Sequence, residues 1–166
     1  DPCDYSNTIG QSLAVIALER AGRTVSAEAV AFLLAQQCAD GGFRGDPSAT
    51  GCTSDADATA FAAQALLAVG ADTEAAAALD HLAAAQAASG GVAGDGAPVN
   101  ANTTGVAVQA FTAGGRTAEA AAGRAFLATL QYDCTATQAL RWGIAYTADS
   151  RSATTVADSD LRATPQ

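Results

Sequence analysis

Apolar residues recur at helical spacing in six runs, and the runs come in pairs. The first is predicted over residues 7–21, with Ile9, Leu13, Ile16 and Ala17 on one stripe, Ser6 or Asn7 as cap and Gly22 as stop. The second covers 27–37, with Ser26 as cap and Val30, Phe32, Leu33 and Leu34 as its bulky residues. The pairing returns over 57–70 with 73–88, and over 102–114 with 117–132. Between pairs lie Gly-rich stretches, 38–47 and 89–96, which cannot continue a helix.

Two sets of markers keep step with the pairs. Leu18-x-x-x-Gly22, Leu66-x-x-x-Gly70 and Phe111-x-x-x-Gly115 end the first helices, 48 and then 45 residues apart. Gln37, Gln86 and Gln131 end the second helices, 49 and then 45 residues apart. Markers that move together imply a repeated hairpin, and stacked hairpins bury one shared core. The expectation is an all-α single domain over 1–166, an array of about three and a half antiparallel helical hairpins. The pattern weakens after Cys134, where 140–146 reads as short extended or irregular chain and 160–166 as the start of a fourth first helix. Neither end reads as a polar cap, so the array is expected to be a piece of a longer arc, or to cover its ends by self-association or with a partner.

Composition sharpens this. At 166 residues the chain can bury a real core, and its apolar half is led by Ala, which favours helices that approach closely. A net charge of -9 repels phosphate and argues against nucleic acid and anionic membrane. The basic residues are all Arg, so Schiff-base and P-loop lysine chemistry is excluded. No apolar run reaches the roughly 20 residues of a membrane span, so no membrane insertion is expected.

The loops carry a family likeness. Gln37-Cys-Ala-Asp-Gly-Gly-Phe43 resembles the Gln-x-x-x-Gly-Gly-Phe/Trp repeat of the terpenoid cyclase and protein prenyltransferase superfamily. Gln86-Ala-Ala-Ser-Gly-Gly-Val92 is a second copy with Val for the aromatic, and the third copy lacks the motif. Thr8-Ile-Gly-Gln-Ser-Leu-Ala-Val-Ile-Ala-Leu18 is similar to the first helices of cobalamin carriers built the same way. The resemblance implies that the hairpins form part of an α/α toroid. It also implies a structural role for Gln37, Gln86 and Gln131, which would bond backbone groups at a helix end, and for Phe43, whose ring would pack across to a neighbouring hairpin.

Asp55-Ala-Asp-Ala-Thr-Ala60 resembles the Asp-x-Asp-Asp-Thr-Ala acid motif of class II terpene cyclases, which would make Asp57 an acid assisted by Asp55. Such an acid must stay protonated in an apolar pocket. Here Ala58 replaces the last carboxylate, and five Phe, three Tyr and one Trp are too few to line a cation-stabilising cavity. Asn102 stands in the next unit where Asp57 stands in this one, so a helix cap is the competing reading of Asp57. Prenyltransferase zinc needs Asp, Cys and His, whereas His81 is the sole His, predicted mid-helix without a Cys at ligand spacing. No metal or cofactor is expected. Asp40, Asp46, Asp55, Asp95, Asn100 and Asn102 gather in the loops without calcium-loop spacing and read as solvated polarity. Asn102-Thr-Thr104 also spells a glycosylation sequon, at a predicted helix cap.

Cys38 and Cys52 bracket the first Gly-rich loop, and a disulfide between them is expected, with export from the cytoplasm. Cys3 and Cys134 are each half of a similar clasp, to be paired with each other or with another chain. The leading functional expectation is a non-catalytic extracellular or cell-surface module that binds a protein, glycan or small apolar ligand. The alternatives are a class II terpene cyclase-like fragment using Asp57, and a cobalamin-type ligand carrier domain.

Overall fold

The structure, a computed structural model, describes residues 6–152 and 158–163. It is mostly helical. The elements are α1 (Thr8–Arg20), α2 (Ala27–Leu34), α3 (Ala56–Val69), α4 (Asp72–Ala85), β1 (Val92–Ala93), β2 (Val99–Asn100), α5 (Ala101–Ala113), α6 (Thr117–Leu130), α7 (Ala148–Arg151) and α8 (Asp158–Ala163). Helices α1 and α2, α3 and α4, and α5 and α6 pack as hairpins, and α3 lies between α1 and α5. These contacts make α1, α3 and α5 the inner helices and α2, α4 and α6 the outer ones.

The hairpin turns follow from glycine. Gly22, Gly70 and Gly115 have φ of 65°, 75° and 70°, the left-handed region that ends helices and that Cβ-bearing residues avoid. The central helix shows why the chain is Ala-rich. Ala58, Ala60, Ala62, Ala63, Ala65 and Leu66 of α3 are all fully buried, so its neighbours meet it on opposite sides over small side chains.

Hairpin one departs from the sequence reading. Leu13 and Ala17 are exposed, and the buried residues of α1 are Thr8, Ser12 and Val15. The polar pair is satisfied: Thr8 Oγ1 donates to the Arg44 carbonyl at 2.5 Å and Ser12 Oγ to the Thr8 carbonyl at 2.7 Å. Among the described residues, inner packing reaches α1 chiefly from α3, and Leu13 and Ala17 of its apolar stripe are left exposed. Helix α2 ends at Leu34, short of Gln37, and of its predicted bulky residues only Leu33 is fully buried. After α6 a longer loop leads to α7 and α8, with a small core of Phe126, Leu130, Tyr132, Leu140, Ala145 and Ala163.

The expected disulfide is present. Cys38 and Cys52 are bonded, with Cα atoms 5.5 Å apart. Cys134 is an exposed free thiol. Cys3, its expected partner, lies outside the described residues. Among the described residues no helix is long and apolar enough to cross a membrane.

Candidate functional site

The Gly-rich loops are built as inter-hairpin clasps. In the first, the Cys38 N–H donates to the Gly42 carbonyl and the Gly41 N–H to the Cys38 carbonyl, closing a tight turn. The Gln37 amide spans that turn, donating at 3.0 Å to the Gly41 carbonyl and at 3.0 Å to the Glu74 carbonyl in the first turn of α4. Gln86 repeats this one unit on, donating at 2.8 Å to Gly90 and 3.0 Å to Glu119 of α6. Thus Gln37 and Gln86 tie their hairpins to the first turn of the next outer helix. Gly41 and Gly90 are required there, because a Cβ on either would collide with the backbone carbonyl of Ala77 or Ala122. Phe43 and Val92 are buried, and their N–H groups donate to Thr59 Oγ1 and Thr104 Oγ1 of α3 and α5.

The third loop keeps the same scaffold without the motif. Gln131 bridges to Ile144, as Gln37 does to Phe43, and the Tyr132 N–H donates to the Gly143 carbonyl. Two differences stand out. Gln131 is exposed, and no described residue accepts a hydrogen bond from its amide. Trp142 sits where Gly41 and Gly90 sit, with φ of 69° and 65% exposure.

Helix α1 starts at an expected cap, Asn7, whereas α3 and α5 start at caps two residues before the expected Asp57 and Asn102. The caps are Asn7, Asp55 and Asn100, whose side chains accept from the N–H of Gly10, Ala58 and Thr103. Asp57 and Asn102 therefore are not caps. They lie two residues further on, inside the first turns of α3 and α5. Each has one buried oxygen, Oδ1, without a hydrogen-bond partner. Burial pushes the Asp57 carboxyl above its ordinary 3.8, Thr103 opposes this by hydrogen bonding, and the charge of Asp55 adds to it. The acid pair of the resemblance is thus brought together.

Beside Asn102 a cavity of about 170 Å³ opens between α5, α6 and the third loop. Gly105, Val106, Leu127, Ile144 and Ala163 make its apolar wall, and Asn102 and Gln109 give it polar edges. Gly105 leaves open space where a side chain would stand. No element of the sequence reading pointed to this cavity. It depends on the third loop reaching back over α5.

His81 meets a different group. Its Nδ1 lies 3.6 Å from Asp40 Oδ2, while Ser54 Oγ donates to Asp40 Oδ1 at 2.7 Å. Asp40 is held below its ordinary value, chiefly by that Ser54 bond. The order is wrong for nucleophile activation, since the base must stand between hydroxyl and carboxylate. Here the carboxylate stands in the middle, and the group pins the first loop onto α4. Asp46 turns inward on its own loop, accepting from the Ser48 N–H and hydroxyl. Among the described residues no cluster of His, Cys, Asp or Glu could hold a metal ion.

No family model matches this chain, and neither do any of the curated proteins or solved structures compared with it.

Proposed function

We propose that this chain is a non-catalytic ligand-binding or interaction module of α/α-toroid type, exported from the cytoplasm. The Gln37 and Gln86 clasps, which join successive hairpins in one repeated geometry, support the toroid-type relationship. The disulfide of Cys38 and Cys52 supports an oxidising location. The observation that carries the binding role is the cavity beside Asn102. Its size suits a single ring or short alkyl group, since apolar cavities of about 150 Å³ hold ligands the size of benzene. Asn102 and Gln109 at its edge would orient one polar substituent of that ligand. A polyprene or a corrin exceeds this volume many times over, which weighs against the cyclase and cobalamin-carrier readings.

The test is nuclear magnetic resonance titration with phenol and cyclohexanol as probes. Shifts confined to Val106, Leu127 and Ile144, lost in Gly105→Leu, are the expected result. A Gly105→Leu variant that binds as well as the parent would remove the cavity from consideration.

A second reading keeps one specific observation in its favour: Asp57 is half-buried, raised by burial, and has an unpartnered oxygen. It would then act as a proton donor to an alkene. Turnover of any polyprene that Asp57→Asn abolishes would favour that reading over the binding module.

A further inference from the structure

Asp is followed by Gly at two places in this chain, Asp40–Gly41 and Asp95–Gly96. Such a step can rearrange unaided, because glycine has no side chain to shield its nitrogen from the neighbouring carboxyl. The sequence makes the two steps equal, and the fold makes them opposites. At the first, the Gly41 N–H donates to the Cys38 carbonyl at 3.0 Å. Asp40 Oδ1 accepts from the Gly42 N–H at 3.1 Å and from the Ser54 hydroxyl at 2.7 Å, and Oδ2 faces His81 at 3.6 Å. Both reacting groups are therefore engaged. Gly41 is also pressed onto α4, so closely that a Cβ there would stand 2.7 Å from the Ala77 carbonyl oxygen, and the turn cannot swing.

Asp95 and Gly96 form the centre of the turn 94–97, which joins β1 to β2. Both are exposed. One bond closes the turn, from the Ala97 N–H to the Gly94 carbonyl at 3.2 Å, and it involves neither of them. Among the described residues nothing accepts from the Gly96 N–H and nothing donates to the Asp95 carboxylate. Gly96 has a φ of 61°, and a Cβ there would meet nothing within 4 Å, so the peptide between the two residues has room to rotate.

We propose that Asp95–Gly96 is a site of spontaneous isoaspartate formation, and that the clasp of the first loop protects Asp40–Gly41 from the same reaction. The Gly96 amide nitrogen attacks Asp95 Cγ and forms an N–C bond, and its proton leaves with the carboxyl hydroxyl as water. The product is a five-membered cyclic imide, which water opens at either carbonyl. Opening at Cγ restores Asp95. Opening at the backbone carbonyl leaves the chain running through Cβ and Cγ, with the old backbone carbonyl as the free carboxylate. Charge is unchanged and the turn gains one methylene, at the rim of a cleft that Asp95 lines with Arg44, Asp46 and Asp55. At Asp40–Gly41 the hydrogen bonds given by Gly41, Gly42 and Ser54 must break first. Each slows the step about fivefold, so that site should react about a hundredfold more slowly. The cavity on α5 lies elsewhere, so ligand binding there neither supports nor opposes this chemistry.

The experiment keeps the folded chain at neutral pH for several weeks. A protein isoaspartate methyltransferase with a labelled methyl donor then marks each newly freed carboxylate. Trypsin cuts after Arg44 and Arg116, so the two sites fall on different peptides. Label is expected on the peptide of Asp95, with about a hundredfold less on that of Asp40. Electron-transfer fragmentation should place it at Asp95. Chains unfolded in urea with the disulfide reduced should label both sites at comparable rates. Asp95→Glu, at an exposed position, should melt like the parent and lose the label, because attack on Glu needs a six-membered ring. A folded parent without label at Asp95 overturns the proposal. So does a folded-chain ratio below about tenfold, an unfolded chain that still spares Asp40, or label that persists on the same peptide in Asp95→Glu.

Discussion

Replacing the three repeat glutamines by alanine, one at a time, tests whether the clasps hold the hairpins together. Gln37 and Gln86 each donate two hydrogen bonds to backbone carbonyls, one in their own loop and one in the next outer helix. A net contribution near 1 kcal/mol per bond puts each deletion at about 2 kcal/mol. The affected carbonyls are only partly buried, so water recovers some of the loss and the cost should stay near that figure. Gln131 donates to no described residue and is exposed, so Gln131→Ala should lie within about 0.5 kcal/mol of the parent. For a chain of this length 1 kcal/mol moves the melting temperature by about 2–4 °C. Melts followed by circular dichroism should thus show losses of about 4–8 °C for Gln37→Ala and Gln86→Ala, and little change for Gln131→Ala. Urea unfolding should give the same order with an unchanged slope. Equal costs at Gln86 and Gln131 would refute the reasoning, because only one of them reaches a following hairpin.

Two further outcomes follow from single residues. Burial raises the folded-state Asp57 carboxyl, so Asp57 favours folding fully below the ordinary 3.8 and loses that contribution as pH rises through its folded value. Asp57→Asn should therefore melt higher than the parent at pH 7, with the difference vanishing as pH falls below 3.8; a difference that ignores pH would contradict this. Trp142 holds a left-handed backbone that costs a non-glycine residue about 1 kcal/mol, while its side chain is largely exposed. Trp142→Gly should accordingly be neutral or stabilising by up to about 1 kcal/mol, and a loss above about 2 kcal/mol in urea unfolding would show that the indole packs.

Much of this fold is local chemistry and was legible residue by residue. Gly22, Gly70 and Gly115 end helices because only glycine adopts their φ freely, and that requirement stands in the sequence whatever packs nearby. The Cys38–Cys52 bond was legible for the same reason: its two residues bracket one short loop. Asn7 and Ser26 cap α1 and α2 as expected, whereas the caps of α3 and α5 were misplaced by two residues. Asp55 and Asp57, like Asn100 and Asn102, are equally good caps, and the bridge from Phe43 to Asp55 and the pairing of Val92 with Asn100 choose between them.

What tertiary structure alone decided is which surface meets which. Alanine on every side of a helix marks no stripe, so the buried side of α1 went to Thr8, Ser12 and Val15, where α3 packs, and Leu13 was left in water. The second acceptor of each clasp lies 37 residues beyond Gln37 and 33 beyond Gln86, in the next hairpin. The third loop rebuilds the clasp backbone with Trp142 in place of the first glycine and Ile144 in place of the aromatic, keeping only Gln131 and Gly143 of the motif, and the residues between them no longer follow its spacing. The sequence determined, to within about one helical turn, where helices start, turn and stop, because those events are settled mainly by residues close together in the chain. Partners across the fold, and the faces left without one, exist only once the hairpins are stacked.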